Sequence, residues 1–188
     1  MKVATKIFID PGHGGPDPGA KGNEVTEEFV NLNVSNELVR LLRAGGYDVK
    51  TYRTTSDENV LSDKNSDLRN RARMANEWGA DYFISIHTNS SENTAAQGAE
   101  AYVYRLGGAS ERLGQSILRS IASELGSRNR GVMKANFAVL RRTNMPAVLL
   151  ELGYLTNPTE ALNLNSPLWQ QKVAKAIYDG IAAYVPAN

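Results

Sequence analysis

The sequence contains no cysteine, and this absence limits the kinds of site that the chain can build. Without cysteine there are no disulfide bonds and no thiolate ligands for a metal. Any transition metal must therefore be held by nitrogen and oxygen atoms. Histidine is nearly as scarce, because the 188 residues include only two, His13 and His87. All imidazole ligands are thus confined to two positions.

The chain also lacks an excess of charge and a long apolar run. Its 21 basic and 20 acidic residues leave a formal net charge of +1 at pH 7, which gives no reason to expect nucleic acid or an anionic membrane as a partner. No run approaches the ~20 apolar residues of a transmembrane helix. Residues 1–5 lead into the first predicted strand without the features of a signal peptide. These features are typical of a cytosolic or phage-encoded protein, and equally of a domain cut from a longer secreted one.

Strands alternate with helices along the chain, which predicts an α/β fold. A chain of this length can bury about 70% of its unfolded surface in one core. We expect one domain over residues 1–188, with a twisted, mostly parallel six-stranded sheet flanked by helices on both faces. The predicted strands cover residues 6–10, 47–53, 81–86, 98–105, 137–140 and 147–152. The predicted helices cover residues 27–43 (with Thr26 as N-cap), 66–78, 110–125 and 166–184.

A glycine-rich turn that carries His13 follows the first predicted strand. Residues 7–9 are apolar, as in a strand buried on both faces, and residues 10–15 then read Asp-Pro-Gly-His-Gly-Gly. The turn lacks the glycine spacing of dinucleotide sites and the lysine of a P-loop, so a nucleotide site is not expected. Open α/β sheets place their sites at the carboxyl ends of strands. His13 therefore lies where a functional ligand is expected.

His87 has an equivalent position, directly after the apolar strand of residues 81–86. If the two strands are parallel neighbours, both imidazole rings lie at one edge of the sheet. A catalytic zinc ion takes three protein ligands, and two histidines with one glutamate are a common set. The start of the first helix offers Glu24, Glu27 and Glu28, and spacing alone divides the choice between the last two. Acids in a first helical turn are favoured by the helix dipole in any case.

Glu151 interrupts the apolar run of residues 148–152. A carboxylate there is costly unless it is paired or functional. Partial burial raises the pKa of a carboxyl group, which suits a general base near neutral pH. The alternative is a structural ion pair with Arg141 or Arg142. A carboxylate beside a zinc-activated water has a clear role in proton transfer, so the residues alone predict metal-assisted hydrolysis.

Four segments resemble the motifs of zinc-dependent N-acetylmuramoyl-L-alanine amidases of the third amidase type. They occur in the family's order and span nearly the whole chain, which makes the resemblance specific. In chain order, the motifs are carried by residues 9–15 with Asp17, Gly19 and Ala20, by Glu27 with Asn31 and Leu32, by residues 85–89 with Gly98 and Glu100, and by residues 146–157.

The resemblance implies one zinc ion held by His13, Glu27 and His87, with Glu151 as the catalytic acid and base. It selects Glu27 because the family's ligand stands four residues before the Asn-Leu pair. It also implies the reaction, in which zinc-activated water hydrolyses the amide bond between the lactyl group of N-acetylmuramic acid and L-alanine of the stem peptide. Peptidoglycan is then the partner, and neither nucleic acid nor membrane is expected.

The chain departs from the family at the entrance of the site. The family often has a lysine and then an acid after the ligand glutamate, whereas Glu28 and Phe29 stand here. Some relatives carry a long helical insertion that blocks the zinc until a partner removes it. The segment between His87 and Glu151 has room only for a strand, a helix and a short strand. We therefore expect an open groove, no activator protein and a monomer.

Other polar residues near the predicted site have two interpretations. Asn89 is a candidate for substrate binding, as are the loops around Asn59 and Asn136, and all of them are equally explained as solvated loop residues. Arg53, at a strand end, is expected to form an ion pair rather than to hold substrate.

Two other functions are alternatives to the amidase interpretation. One is a zinc carboxypeptidase or amidohydrolase that acts on free peptides, and the other is a wall-binding module without activity. The second leaves the predicted metal ligands and base unexplained. The resemblance implies a protein that is secreted or associated with the cell wall as part of a longer precursor, or alternatively a phage endolysin or a sporulation enzyme.

Overall fold

A computed structural model of the chain describes residues 4–187. Residues 1–3, which begin the predicted approach to the first strand, lie outside the described residues. The sheet strands are β1 (Lys6–Pro11), β4 (Asp48–Thr51), β5 (Tyr82–Asn89), β6 (Ala99–Val103), β7 (Asn129–Lys134) and β8 (Ala147–Tyr154), and a small hairpin is formed by β2 (Lys21–Gly22) and β3 (Val25–Thr26). The helices are α1 (Glu27–Ala44), α2 (Lys64–Trp78), α3 (Ala109–Leu125), α4 (Ala138–Arg142), α5 (Pro158–Leu164) and α6 (Pro167–Tyr184).

The six-stranded sheet has the strand order β4-β1-β5-β8-β6-β7. Strands β4, β1, β5 and β8 are all parallel to one another. Strand β6 runs antiparallel to β8 and parallel to β7. The predicted mostly parallel α/β sheet of six strands is therefore confirmed. The strands that lead to the two histidines are direct neighbours, so their carboxyl ends share one edge.

Helices cover both faces of the sheet, which explains why its central strands are apolar throughout. Along β1, Ile7 and Ile9 pack on the side of α1, α3 and α6, while Phe8 between them packs on the side of α2 and α4. Successive side chains of a strand point to opposite faces, so a strand covered on both faces is apolar at every position. Within residues 4–187 there is no helix of the length and apolar character that crossing a membrane requires.

The strand predicted for residues 137–140 is wrong. These residues begin α4, with Phe137 as the N-cap, and the sixth strand is β7. Strand β7 reads Asn-Arg-Gly-Val-Met-Lys and lies at the edge of the sheet. An edge strand needs no continuous apolar face, so its polar sequence gave no strand pattern. Helix α5 was not predicted, because its seven residues are too few to show a clear period.

The start of α1 is fastened to the loop that precedes it. Thr26 is the N-cap residue, as predicted, but its side chain makes no capping hydrogen bond. Instead, the backbone N–H of Glu27 donates to the oxygen of Ala20 at 2.9 Å, and that of Glu28 donates to the oxygen of Pro18 at 3.1 Å. These bonds satisfy two of the free N–H groups of the helix and hold its first turn close to the glycine-rich loop.

Gly180 allows α6 to pack closely against α3. A Cβ atom at Gly180 would lie 2.5 Å from Ile117 Cα and 3.0 Å from the backbone oxygen of Ser116. We expect Gly180→Ala to lower the free energy of unfolding by about 2 kcal/mol, because the cost of overpacking exceeds the gain in helix propensity. Urea denaturation followed by circular dichroism measures this change.

Gly114→Ala is the matched control, since Gly114 lies in α3, the helix against which α6 packs. A Cβ atom there would meet Val132 Cγ2 at 3.2 Å, and Val132 is half-buried on the edge strand β7, where it has room to shift. We expect Gly114→Ala to change stability by less than about 1 kcal/mol. Equal stability of the two variants would contradict the close approach of α6 and α3.

Candidate functional site

The carboxyl edge of the sheet brings His13, Glu27 and His87 together. The Nε2 atom of His13 lies 3.1 Å from Glu27 Oε2, and the Nδ1 atom of His87 lies 2.8 Å from Glu27 Oε1. One possible ligand atom from each residue lies within 4.8 Å of the other two. Among residues 4–187, these three form the one group of histidine and acidic side chains whose spacing suits a metal ion.

The His13 ring is oriented by Asp17. The two side chains are joined by a hydrogen bond of 2.8 Å between His13 Nδ1 and Asp17 Oδ2, which leaves Nε2 to face Glu27. The second oxygen of Asp17 accepts a bond from the backbone N–H of Gly19 at 3.0 Å. A carboxylate on the outer nitrogen is typical of metal-binding histidines, because it fixes the ring and its tautomer. Sequence analysis placed Asp17 in a motif but assigned it no role.

Two glycines leave the space that these side chains occupy. A Cβ atom at Gly12 would lie 2.2 Å from His87 Cε1. Gly19 has a φ of 67°, and a Cβ atom there would lie 2.6 Å from Glu27 Oε2 and 2.8 Å from His13 Cδ2. A larger residue at either position would displace one of the three side chains.

Glu27 is the first residue of α1 and is buried. Its Oε2 accepts a hydrogen bond from the N–H of Ala20 at 2.9 Å, and its Oε1 accepts one from the N–H of Thr88 at 3.2 Å. Burial raises the pKa of Glu27, but hydrogen bonds with His13 and His87 and their positive charges lower it by more, so that it lies below its usual range. The group is therefore a carboxylate, the form that a metal binds.

The other acids considered as third ligand lie elsewhere. Glu24 is exposed in the turn between β2 and β3, with a φ of 64°. Glu28 forms an ion pair of 3.0 Å with Arg53, which confirms the ion-pair role predicted for Arg53. Of the three glutamates, the structure brings Glu27 alone to the histidines.

Glu151 faces the same cavity as the two histidines. It is the register partner of His87 across β5 and β8, and of Glu100 across β8 and β6. Its Oε2 atom is buried and has no hydrogen-bond partner. Burial, followed by the negative charges of Glu27 and Glu100, raises the pKa of Glu151 well above its usual value. The site thus contains one acid that stays ionised and a second that readily holds a proton.

The structure contradicts the alternative of an ion pair for Glu151. Neither Arg141 nor Arg142 contacts its carboxylate in the described part of the chain. Arg141 instead donates to the side-chain oxygen of Asn136 at 2.6 Å. The carboxyl group therefore lies in an apolar strand without a cation to stabilise its charge, a common property of groups that transfer protons.

Two buried arginines hold the backbone of the turn that carries His13. Arg71 donates to the carbonyl oxygens of Pro11 and His13, both at 2.7 Å. Arg53 donates to the carbonyl oxygen of Gly12 at 2.9 Å. Three successive carbonyl groups are therefore fixed by guanidinium groups, and His13 keeps a φ of 61° that non-glycine residues seldom adopt.

The charges of both arginines are balanced by acids. Arg71 pairs with Asp10 at 2.8 Å and with Asp67 at 2.7 Å, and Arg53 pairs with Glu28. Without these acids the buried cations would be strongly destabilising. Sequence analysis missed the role of Arg71, because an arginine in a polar helix carries no sign that it is buried.

Asn89 is bound within the protein. Its side-chain N–H donates to Glu100 Oε1 at 2.7 Å. Glu100 is itself buried and accepts further bonds from Tyr102 at 2.8 Å and from Arg130 at 2.7 Å. The substrate-binding role of Asn89 stays a prediction, and the structure adds that its amide anchors the end of β5 to β6.

A cavity of about 460 Å³ opens beside these groups. It is lined by His13, His87 and Glu151, and also by residues of the first turns of α2 and the start of α4. Helix α3, the long helix between β6 and β7, packs against α6 on the far face of the sheet, so it leaves the cavity open.

Comparison with known proteins identifies relatives along the whole chain. The model of a family described as N-acetylmuramoyl-L-alanine amidase matches residues 7–183. LytC of Bacillus subtilis (strain 168), named as an N-acetylmuramoyl-L-alanine amidase, is 36% identical over 97% of this chain. The chain spans 36% of the length of LytC, so it corresponds to one part of that longer protein.

Solved structures share the fold. The catalytic domain of CwlV, an N-acetylmuramoyl-L-alanine amidase from Bacillus (Paenibacillus) polymyxa var. colistinus, is 34% identical, with a TM-score of 0.88 over 98% of this chain and 99% of that one. The CwlD amidase from Clostridioides difficile, solved in complex with the GerS lipoprotein, is 30% identical, with a TM-score of 0.90 over 96% of this chain and 98% of that one. Given this agreement in sequence, fold and motif order, the chain belongs to the type 3 N-acetylmuramoyl-L-alanine amidase family.

Proposed function

We propose that residues 1–188 form one catalytic domain that hydrolyses peptidoglycan. The bond cleaved is the amide between the lactyl group of N-acetylmuramic acid and L-alanine of the stem peptide. The observation that carries this proposal is the meeting of His13, Glu27 and His87 at one sheet edge, with Glu151 facing the same cavity. Membership of the family supplies the substrate and the bond.

The three side chains fit one zinc ion. Two imidazole nitrogens and one carboxylate oxygen are a common ligand set for catalytic zinc, which keeps a further position for water or substrate. The bond from Asp17 to the outer nitrogen of His13 supports the assignment of the inner nitrogen as ligand. A zinc ion at such a site supplies a Lewis acid and lowers the pKa of water.

Glu151 is proposed to move the proton. Its unpartnered Oε2 is available to accept one from the attacking water, and its raised pKa allows it to keep that proton near neutral pH. Glu151 then protonates the departing nitrogen of L-alanine. The same carboxyl group thus acts as base and then as acid, while Glu27 remains ionised.

The open cavity supports activity without an activator. The segment between β5 and β8 contains β6, α3, β7 and α4, and none of these elements covers the site in the described structure. We propose that the chain acts as a monomer on the cell wall. CwlD was solved with a lipoprotein bound, so the need for a partner is a direct question for experiment.

Digestion of purified peptidoglycan tests the proposal. We expect the purified chain with zinc, and without any partner, to release stem peptides that begin with L-alanine. Mass spectrometry of the products and an assay of new amino termini measure this, and a chelator should abolish the release, with zinc restoring it. Peptides shortened at the carboxyl end would indicate a carboxypeptidase, and wall pelleting without new amino termini would indicate a binding module.

Glu151→Gln tests the proton-transfer role. The substitution keeps the shape of the side chain but removes its ability to accept a proton, so we expect kcat to fall by a factor of about 10²–10⁴. Zinc content, measured by atomic absorption, should stay at one ion per chain. Glu24→Gln is the control and should retain both activity and zinc, since Glu24 is exposed. Near-normal turnover in Glu151→Gln, or in Glu151→Ala, would contradict the role of Glu151 as the base.

Gly12→Ala tests the packing behind the zinc ligands. A methyl group there occupies the position of the His87 ring, so we expect zinc affinity to fall by about 10- to 100-fold without unfolding the chain. His87→Ala, which removes a ligand, should weaken zinc at least as much. Gly108→Ala is the matched control, because a Cβ atom there meets nothing within 4 Å. Competition with a chromogenic chelator measures affinity, and unchanged affinity in Gly12→Ala is the contrary result.

A further inference from the structure

The cavity lining includes apolar residues that the zinc site does not use, and the part of the cavity that they line is called the arm. Leu61, just before α2, is 43% exposed, and Phe137, the N-cap of α4, is 41% exposed. Leu68 and Val139 belong to the same lining. The Phe137 ring is fixed by an edge-on contact with Tyr102, with 5.2 Å between the ring centroids. The arm is therefore a largely apolar part of the cavity, lined by residues of α2, of α4 and of the segments just before them.

Lys64 is exposed, and it is the one cation on this lining that makes neither a hydrogen bond nor an ion pair within 4.0 Å among residues 4–187. Arg71 also lines the cavity, but its guanidinium is bound to Asp10, Asp67 and two carbonyl oxygens. No carboxylate of the described residues lies within 4.0 Å of the Lys64 ammonium, and no hydrogen bond holds it. The charge of Lys64 contributes to lowering the pKa of Asp17, but the Asp17 carboxylate is hydrogen bonded to His13 and Gly19 instead.

The position of Lys64 is not explained by the stability of its helix. It is the first residue of α2, directly after the N-cap Asp63. A cation is unfavourable at the N-terminal end of a helix, because it meets the positive end of the helix dipole. An anion in the cavity would relieve this repulsion and pair with the free ammonium at the same time.

We propose that this arm binds the stem peptide and that Lys64 pairs with the carboxylate of the peptide's second residue. The proposal rests on the proposed function, because it assumes that the scissile amide lies at the zinc site. Beyond that amide the peptide continues with the methyl group of L-alanine and then with a γ-linked D-glutamate, whose α-carboxylate is free. The apolar walls suit the methyl and methylene groups, and the single ammonium suits the carboxylate.

The glycan is a poorer fit for the same arm. N-acetylmuramic acid linked to peptide offers hydroxyl and acetamide groups and no charge, whereas the lining offers an ammonium group, that of Lys64, which no side chain of the described residues binds. In walls where the α-carboxylate of the second residue is amidated, Lys64 has no anion to pair with. The arm therefore makes the enzyme sensitive to this one chemical difference.

A pair of matched substrates tests the proposal. Two muramyl peptides are compared that differ only in a carboxylate or a carboxamide on the second residue. We expect the zinc-loaded chain to prefer the carboxylate by about tenfold in kcat/KM, the size of one hydrogen-bonded charge pair, with the difference in KM. Lys64→Gln should lose that preference by slowing only the carboxylate substrate, and Lys64→Arg should keep most of it.

Lys172→Gln is the control, since Lys172 is exposed on α6 at the opposite face of the sheet. It should leave both rates unchanged. Equal effects of Lys64→Gln on the two substrates, or no effect on either, would overturn the proposal. Calorimetric binding of the same two ligands to zinc-loaded Glu151→Gln gives the comparison without turnover. If neither substrate is cleaved by the unmodified chain, the proposed function fails, while the binding preference still decides the role of Lys64.

Discussion

The candidate site depends on the hydrogen bonds from Arg53 and Arg71 to the turn after β1. Together with the backbone hydrogen bonds of Gly12 and Gly14, they keep His13 at a φ of 61°, because strain of this kind persists only when the surroundings impose it. The two guanidinium groups bind the carbonyl oxygens of Pro11, Gly12 and His13. Buried cations are costly, and the acids around them offset that cost. Two buried guanidinium groups therefore hold the backbone of this turn in place.

The register of the parallel strands provides the second constraint. His87 and Glu151 are partners across β5 and β8, so a proposed metal ligand and the proposed base are held one strand spacing apart, about 4.8 Å. Glu27 reaches them from the first turn of α1, which is itself bound to the loop after His13. Each of the four groups thus comes from a different element, and the sheet edge is the one place where the elements meet. The pKa of Glu27 is lowered and that of Glu151 is raised, because only Glu27 is hydrogen bonded to the two imidazoles.

Much of this arrangement could be predicted from the sequence. The central strands were clear because both faces are covered and every position is apolar. Both histidines and Glu151 were found because each breaks or ends such a run. The choice between Glu27 and Glu28 could not be made from spacing alone, since both stand in one helical turn; the resemblance to the family motif selected Glu27, and the contacts across the fold agree with that choice. Asp17 and Arg71 were missed for the same reason: a hydrogen bond to a ring or to a distant carbonyl leaves no periodic pattern in the chain.

The polar edge strand β7 was also missed, and its composition has a consequence for the behaviour of the molecule in solution. An unpaired strand edge is a template for association with another chain. Here the edge carries Arg130 and Lys134, contains Gly131 at a φ of 90°, and is irregular in its pairing with β6. Such an edge resists the addition of a strand from a neighbouring molecule. The polar residues and the glycine that give β7 no recognisable strand pattern therefore also protect the domain against intermolecular sheet growth and aggregation.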